Sequence, residues 1–501
     1  MAVSMFSCLL ISSLVLLLYG VLRVSYSIWW KPKWLEKRLR QQGIRGTPYK
    51  LVMGDMKEYI RLITEAWSKP MNLNHHIVSR VDPFTQNNMQ QYGKVSLFWA
   101  GTTPRLIVMD PGMIKEVLSN KQGHFQKPYI SPLILTLARG LTALEGEVMI
   151  PAFTTSCSML IERWKELASL QETCEVDIWP ELQNLTRDVI SRAALGSSFE
   201  EGRQIFELQK EHITLTLEAM QTLYIPGFRF IPTKKNQRRK YLQKRTTSMF
   251  RDLIQRKKDA IRTGQAEGDN LLGLLLLSSS QNNLPENVMS TKDNAITLEE
   301  VIEECKQFYL AGHETTSSWL TWTVTVLAMH PNWQEKAREE VMQICGKKEP
   351  DSEALSHLKI VSMILYEVLR LYPPVIAVYQ HAYKETKIGT ISLPAGVDLT
   401  LPTLLIHHDP ELWGDDAEEF KPERFAEGVS KASKDQLAFF PFGWGPRTCI
   451  GQNFAMIEAK VALAMILQHF SFELSPSYTH APHTVMTLQP QHGAQLKFYQ
   501  L

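Results

Sequence analysis

The sequence predicts a mainly α-helical protein with small β-sheets, an α+β fold, in one large domain behind an N-terminal transmembrane helix. Residues 149–277 and the segment after Thr297 have mostly helical hydrophobic periodicity. Residues 94–110 and 376–405 instead have the alternation and turn residues of short strands. With 501 residues, of which 44% are hydrophobic, the chain is long enough to bury a large core.

The charge balance and the cysteines exclude some classes of protein. Lysine plus arginine number 54 and aspartate plus glutamate 52, a formal charge of +2. This balance gives no basic field for DNA or RNA, so we expect no nucleic-acid partner. The six cysteines lie far apart without a CxxC pair, which argues against zinc ligation or a disulfide framework and suits a reducing compartment.

The N-terminus has the pattern of a membrane anchor. Residues 1–22 contain no charged side chain and are long enough to cross a bilayer, and the positive charges begin only at Arg23. This order favours a retained single-pass anchor with the body in the cytosol, whereas a cleaved signal peptide, the alternative, normally carries positive charge ahead of its apolar segment. We expect an anchor at 1–28, a basic and aromatic hinge at 29–50, and the main domain at 51–501.

Local signals predict several element boundaries. Thr297 and Glu300 form a capping box, which predicts a long helix from Thr297 to Met329. Further helices are expected at 355–371 and from about Gln452. Residues 225–232 and the basic run 234–240, expected to be a solvated face, should interrupt the helical region. We expect residues 43–48 to be a flexible stretch, 278–294 a surface loop, and residues 101–104 the turn of a hairpin that precedes a short helix at Pro111.

The segment 442–451 carries the most specific motif of the chain. Gly443, Gly445 and Gly451 allow tight turns that would bring backbone N–H groups close to the sulfur of Cys449, and Arg447 could reach a nearby carboxylate. Haem requires a ligand for its iron and a cation for its propionates. An isolated cysteine is usually a buried structural residue. Cys449 is instead one of five residues that match the fixed positions of the known motif described next, and this match favours a haem ligand.

This segment resembles the F-x-x-G-x-R-x-C-x-G haem loop of the cytochrome P450 family, here from Phe442 to Gly451. The resemblance implies the cytochrome P450 fold, haem b held by Cys449, and electrons from NADPH through a cytochrome reductase. It further implies an endoplasmic reticulum membrane protein that inserts one oxygen atom of O2 into a C–H bond of a hydrophobic small molecule. Residues 228–233 and 487–493 look like those of a plant clan whose characterised members oxidise terpenoids, including triterpenes.

The predicted long helix contains a second motif at 311–316. It resembles the family's A/G-G-x-D/E-T oxygen-activation motif, with Glu314 and Thr315 as the acid and the alcohol. Small residues at Ala311 and Gly312 would leave space at the haem face, Thr315 would hydrogen-bond the oxygen, and Glu314 would relay protons from water. Alternatively, glycine and threonine inside a helix mark a kink or close packing.

A third motif, Glu367-x-x-Arg370, places an acid and a base on one helix face. The family resemblance implies that this pair is buried and joined by Arg424 of the segment Pro422–Phe425. Such a network supports the fold, because breaking it leaves an uncompensated buried charge.

The resemblance also implies substrate-facing positions, although each is equally ordinary core material. They fall in 125–135, 375–379 and 485–488 and on the long helix, and the individual residues are Phe125, Phe308, Ala311, Val375, Tyr379, Val485 and Met486.

The chain departs from the family pattern in two places. A helix bearing W-x-x-x-R, which contacts a haem propionate, is expected after 141–147, but Val148 runs straight into Met149, so we expect a segment to be deleted at 148/149. Where a second propionate arginine is expected, the chain has Gln380 and His381, of which His381 could substitute in part. We therefore expect weak haem binding, and a catalytically silent, membrane-tethered binding protein is the alternative function.

Overall fold

The computed structural model describes residues 2–121, 123–126, 149–169, 174–196, 199–220, 231–264, 272–273, 276 and 297–501. The expected loop at 278–294, the clan-like residues 228–230, most of the segment 125–135 and the residues just before Met149 lie outside this part of the chain. The chain groups into two units: Met1–Ser68, Val78–Tyr129 and Ala377–Pro402 form the first, and Lys69–Ile77, Ile130–Ile376 and Thr403–Leu501 form the second.

Helices dominate both the N-terminal region and the second unit. In chain order they are α1 Ala2–Ser25, α2 Lys31–Arg40, α3 Met56–Ser68, α4 Val78–Val81, α5 Pro83–Tyr92, α6 Pro111–Ser119, α7 Ile150–Ser169, α8 Ile178–Ile190, α9 Phe199–Met220, α10 Lys234–Arg262, α11 Leu298–Met329, α12 Pro331–Ile344, α13 Ser352–His357, α14 Lys359–Leu371, α15 Thr403–His407, α16 Pro410–Trp413 and α17 Gln452–His469.

The strands are short, and most of them lie in the first unit. They are β1 Arg45–Gly46, β2 Val95–Ala100, β3 Thr103–Val108, β4 Phe125–Gln126, β5 Cys174–Asp177, β6 Val378–Ala382, β7 Thr386–Ile388, β8 Ile391–Leu393, β9 Val397–Leu401, β10 Phe470–Leu474, β11 Pro482–Thr484, β12 Leu488–Pro490 and β13 Gln495–Gln500. The predicted fold class, mainly helical with small sheets, is confirmed.

The N-terminal region, from Ala2 to Arg40, is one continuous helix. A π-helical turn, Tyr26–Trp30, joins α1 to α2. Within the described residues, Leu10–Arg40 is a helix long and apolar enough to cross a membrane, with a mean hydropathy of 1.7 for its most apolar stretch. Its leucines are exposed, for example Leu14 and Leu16 at 70% each. Exposed leucines cost a soluble helix free energy and suit a helix surrounded by lipid.

The first unit contains a six-stranded sheet in the order β1-β2-β3-β9-β6-β4. The predicted hairpin at 94–110 is confirmed, because β2 and β3 pair antiparallel from Val95–Val108 to Ala100–Thr103. Part of the stretch expected to be flexible is instead a strand, since β1 pairs parallel with β2. Gly46 permits this pairing, because a Cβ there would lie 2.0 Å from the carbonyl oxygen of Leu97.

The second unit is built around α11, which packs along α8. The predicted capping box is present: Glu300 N donates to Thr297 Oγ1, and the Thr297 backbone N–H donates to the Glu300 carboxylate. The C-terminal half of the helix is buried on every side, including Trp319 and Trp322. This all-round burial fixes the helix rigidly in the core.

Three sequence-based boundaries were wrong for local physical reasons. The basic run 234–240 does not interrupt a helix but begins α10, because Thr233 caps it and lysine and arginine are good helix formers. The expected helix 355–371 is two helices, since Leu358 has a non-helical ψ of 82°. The strand region ends at Leu401, and Thr403–His407 is helical.

Candidate functional site

The loop before Cys449 folds back on itself. The backbone N–H of Cys449 donates to Phe442 O at 2.7 Å, which closes the loop. Gly443 and Gly445 have φ values of 75° and 72°, in the left-handed region that favours glycine. A Cβ on Gly451 would lie 4.0 Å from Cys449 Sγ, so the helix that follows approaches the sulfur closely.

Cys449 differs from the other cysteines whose side chains the structure describes. It is exposed, whereas Cys157, Cys174, Cys305 and Cys345 are buried. Nearby atoms still desolvate the sulfur and raise the pKa of the Cys449 thiol, while a hydrogen bond from the Gly451 N–H acts in the opposite direction. The sulfur is therefore accessible to a ligand and has a backbone donor that favours its thiolate form.

Arg447 is also exposed. Within the part of the chain that the structure describes, no carboxylate forms an ion pair with it. Among those residues, its guanidinium is thus available to the carboxylate of a ligand.

The second motif lies on α11 where this helix closely approaches α8. Ala311 is exposed. Gly312, which was expected to leave space at a haem face, instead allows α8 to approach, because a Cβ there would lie 2.6 Å from Cδ1 of Ile190. Thr315 Oγ1 donates to Ala311 O at 2.7 Å, as threonine hydroxyls inside helices commonly do.

Glu314 is largely buried and has a specific set of neighbours. Thr487 Oγ1 donates to its Oε1 at 3.2 Å, and His313 Nε2 lies 3.5 Å from its Oε2. Burial raises the pKa of the Glu314 carboxyl, which the Thr487 hydrogen bond and the charge of Arg187 partly offset. A carboxyl whose pKa is raised holds its proton more readily than an exposed acid, so it can serve as a proton donor beside Thr315 in the helix.

The sequence interpretation missed three of these neighbours. His313 lies inside the 311–316 motif, directly before Glu314. An imidazole next to the acid in sequence could have indicated that the two side chains interact. Thr487 and Arg187 lie far from Glu314 in sequence, so nothing local indicated their proximity.

Four segments of the second unit meet around this part of α11. Trp319 and Phe442 contact edge to face, with ring centroids 6.1 Å apart, which joins the helix to the cysteine loop. The backbone N–H of Leu488 donates to Pro374 O at 3.0 Å, and Trp322 Nε1 donates to Leu488 O at 2.9 Å. The helix, the cysteine loop, the segment after Pro374 and the turn before Leu488 are therefore neighbours.

Several expected substrate-facing residues in these segments are exposed although they are apolar. Val375 is 40% exposed, Val485 46% and Met486 37%. Trp444 and Ile450 in the cysteine loop are exposed as well. Exposed apolar side chains on these neighbouring segments, together with the exposed Cys449 and Arg447 of the loop, are suited to an apolar ligand that carries negative charge at one edge.

The remaining expected substrate-facing residues have other surroundings. Phe308 is half-buried against the core cluster that includes Ile190 and Tyr309. In the first unit, Phe125 is buried in β4. Tyr379 is 42% exposed, and the Arg105 guanidinium lies 5.3 Å from its ring centroid.

His381 lies on β6 in the first unit, where a carboxylate holds it. Its Nδ1 and Asp398 Oδ1 are 2.7 Å apart, so the ring donates a hydrogen bond to that carboxylate. Asp398 also pairs with Arg105 at 3.2 Å. Gln380, the neighbouring residue, is buried.

Glu367, Arg370 and Arg424 lie together in the second unit. Arg370 forms two 2.7 Å hydrogen bonds to the Glu367 carboxylate, and both residues are fully buried. Arg424 Nε lies 3.4 Å from Glu367 Oε1. Arg424 also pairs with Asp416 and lowers the pKa of that carboxyl to about 2.

Comparison with known proteins gives matches along nearly the whole chain. Residues 135–498 match the family model for cytochrome P450. Cytochrome P450 CYP72A616 from Paris polyphylla is 52% identical over 495 residues, 95% of each chain. Secologanin synthase 1 from Catharanthus roseus is 45% identical over 494 residues, 94% of each chain.

A third relative bears on the expected deletion. Cytochrome P450 72A15 from Arabidopsis thaliana is 46% identical, with 100% of each chain covered. That alignment has 521 positions whereas this chain has 501 residues, so at least 20 of its positions have no residue of this chain. The family model and these relatives show that the chain belongs to the cytochrome P450 family, monooxygenases that use haem b and electrons from NADPH supplied by a reductase.

Proposed function

We propose that this protein is a membrane-anchored monooxygenase that inserts one oxygen atom of O2 into a C–H bond of a terpenoid. The observation that carries the proposal is the exposed thiol of Cys449, in a glycine-shaped loop with a backbone donor and with Arg447, which forms no ion pair among the described residues. The relative named secologanin synthase 1, from a plant, supports a terpenoid substrate.

The residues of the cysteine loop fit haem b. Cys449 would hold the iron and Arg447 a propionate, because thiolate and guanidinium are the donors that these two groups require. Phe442, Gly443 and Gly451 would shape the loop around the sulfur. When bound, haem supplies the redox chemistry that activates dioxygen.

Glu314 and Thr315 would deliver the protons that this chemistry consumes. The Thr315 hydroxyl donates to Ala311 O and keeps its lone pairs available to accept a hydrogen bond. Glu314, with its raised pKa, can be reprotonated from water after each proton it releases. The two residues thus form a short path along one helix.

The substrate would lie against the exposed apolar residues of the second unit. Val375, Val485 and Met486 offer aliphatic surface, together with Ala311 on the helix. Terpenoids are large, apolar and poor in hydrogen-bonding groups, so burial of their hydrocarbon surface would supply most of the binding free energy.

The N-terminal helix supports attachment to the endoplasmic reticulum membrane with the catalytic part in the cytosol. Trp29, Trp30 and Trp34 are each about half exposed or more, at 49%, 67% and 51%. Lysines and arginines accompany them, and tryptophans and cations of this kind lie at the cytosolic headgroup level.

The test is a reduced, carbon-monoxide difference spectrum of the full-length protein in membranes. We expect the absorption band of a thiolate-ligated haem, and we expect Cys449→Ala to abolish it. Cys345→Ala, which changes a buried cysteine, is the matched control and should keep the band. An unchanged band in Cys449→Ala would overturn the proposal, as would a membrane fraction with haem supplied and no band at all.

A further inference from the structure

The hydrogen bonds of His313 determine which of its nitrogens carries the proton. The ring is buried on α11 and stacks edge to face against Phe206, with centroids 5.1 Å apart. Nδ1 approaches the carbonyl oxygen of Tyr309, which can only accept, so Nδ1 carries the hydrogen. In the neutral ring Nε2 is then a lone-pair acceptor.

This acceptor faces the acid of the oxygen-activation motif. Nε2 lies 3.5 Å from Glu314 Oε2. A lone pair and a carboxylate oxygen repel each other, whereas a proton between them makes an O–H···N hydrogen bond. Burial lowers the pKa of His313 to about 3 and raises the pKa of Glu314, so the proton belongs to the carboxyl.

The other charged groups around the pair come from two neighbouring helices. The charge of Arg187 on α8 lowers the pKa of both His313 and Glu314. Its guanidinium lies 5.6 Å from the Phe206 ring centroid. Lys210 on α9 acts on Glu314, and Glu207 acts on Arg187. The positive charges of Arg187 and Lys210 both favour the ionised form of Glu314, in the same direction as Thr487.

We propose that His313 is a positioning residue for Glu314: the neutral imidazole accepts a hydrogen bond at Nε2 from the protonated carboxyl, while Thr487 holds the other carboxyl oxygen. The inference rests on the proposed role of Glu314 as a proton donor. When Glu314 passes its proton towards the Thr315 hydroxyl, the carboxyl O–H bond breaks and the carboxylate keeps the Thr487 hydrogen bond. A proton from bulk solvent, carried by water, then re-forms the O–H bond. His313 stays neutral throughout.

The opposed roles of the two partners make the proposal testable. His313 stabilises the protonated acid and Thr487 the ionised acid. Removing His313 should therefore lower the pKa of Glu314, and removing Thr487 should raise it. A residue that merely packs against Glu314 would not produce this pair of opposite shifts.

The experiment is an infrared pH titration of the full-length protein, following the carboxylic acid band that Glu314→Gln removes. In His313→Leu we expect the midpoint to fall by about one pH unit, as for loss of one ordinary hydrogen bond to the neutral acid. His313→Gln, whose amide oxygen can accept in place of Nε2, should restore the midpoint. Thr487→Val should raise it.

A second readout follows catalysis. With His313→Leu we expect kcat and the product formed per O2 consumed to fall while KM changes little, with rescue by His313→Gln. An unchanged or raised midpoint in His313→Leu would overturn the inference. The carbon-monoxide spectrum remains independent: its absence with a normal Glu314 titration would refute the proposed function and leave the hydrogen bond standing.

Discussion

At the scale of single residues, the buried Arg370 forms five hydrogen bonds. Its guanidinium donates twice to Glu367 and also to the carbonyl oxygens of His407, Ala417 and Glu419. These bonds join α14 to the segment that leads towards the cysteine loop. We expect Arg370→Met to lower the free energy of unfolding by about 3–5 kcal/mol, because it leaves the Glu367 charge buried without its main partner.

Chemical denaturation followed by circular dichroism would measure this loss. Arg61→Met is the matched control, since Arg61 forms an exposed i,i+4 pair with Glu65, and it should cost under about 0.5 kcal/mol. Equal effects of the two substitutions would contradict a structural role for the buried network.

Glu458 is a buried carboxyl of the opposite kind. It is 1% exposed, and neither carboxylate oxygen has a hydrogen-bond partner within the described residues. Burial raises its pKa well above the usual value, so the folded protein keeps the proton at pH 7 while the unfolded chain releases it. Stability is then lost as pH rises above the unfolded pKa of about 4.3.

Glu458→Gln should therefore stabilise the protein at pH 7 by about 1–3 kcal/mol. The gain should shrink as the pH falls below about 4.3, where both states hold the proton. Unfolding midpoints of both proteins, measured at pH 7 and below about pH 4.3, would show this change in stability. The exposed Glu353→Gln is the control and should show no such pH dependence. A loss of stability at pH 7 would show that Glu458 is ionised and paired.

At the scale of elements, the crossing of α8 and α11 depends on Gly312. An alanine there would place its Cβ 2.6 Å from Cδ1 and 2.9 Å from Cγ1 of Ile190. We expect Gly312→Ala to destabilise the protein by about 1–3 kcal/mol through overpacking, despite the better helix propensity of alanine. The same overpacking should displace the nearby Glu314 side chain and so reduce the turnover rate.

Ile190→Val removes the clashing Cδ1 atom and supplies the rescue. Alone it should cost about 0.5–1.5 kcal/mol, but combined with Gly312→Ala it should recover stability relative to that single variant. Thermal unfolding of the four proteins of this double-mutant cycle would measure the coupling. Strict additivity would mean that the two residues do not meet.

The sequence predicted those elements whose signals are local. Thr297 and Glu300 predicted the start of α11, and His330–Pro331 its end, because caps and proline act within one turn. The loop around Cys449 was found because its residues are adjacent in sequence. The sequence could not predict the contact of Gly312 with Ile190. Nor could it predict the contact of Glu314 with Thr487, which lie 173 residues apart. Both contacts exist only in the folded chain.

At the scale of the whole molecule, the alignment with the Arabidopsis relative suggests a test of the segment expected to be missing. At least 20 aligned positions have no residue here, and from the sequence pattern we expect the gap to lie between Val148 and Met149. In the family that segment carries a tryptophan and an arginine that contact a haem propionate. Met149 is buried immediately before α7. The C-terminal end of an inserted segment would therefore have to join the chain at this buried residue.

We expect insertion of the relative's segment at 148/149 to tighten haem binding by about 10- to 100-fold, since each charge-assisted hydrogen bond regained contributes about 1.5–3 kcal/mol. Haem titration of both forms would measure the affinities. A glycine and serine insert of equal length controls for chain length, and replacing the inserted arginine with glutamine should remove most of the gain. If the original chain and the insertion variant bound haem equally, Arg447 and the cysteine loop alone would be sufficient to hold the cofactor.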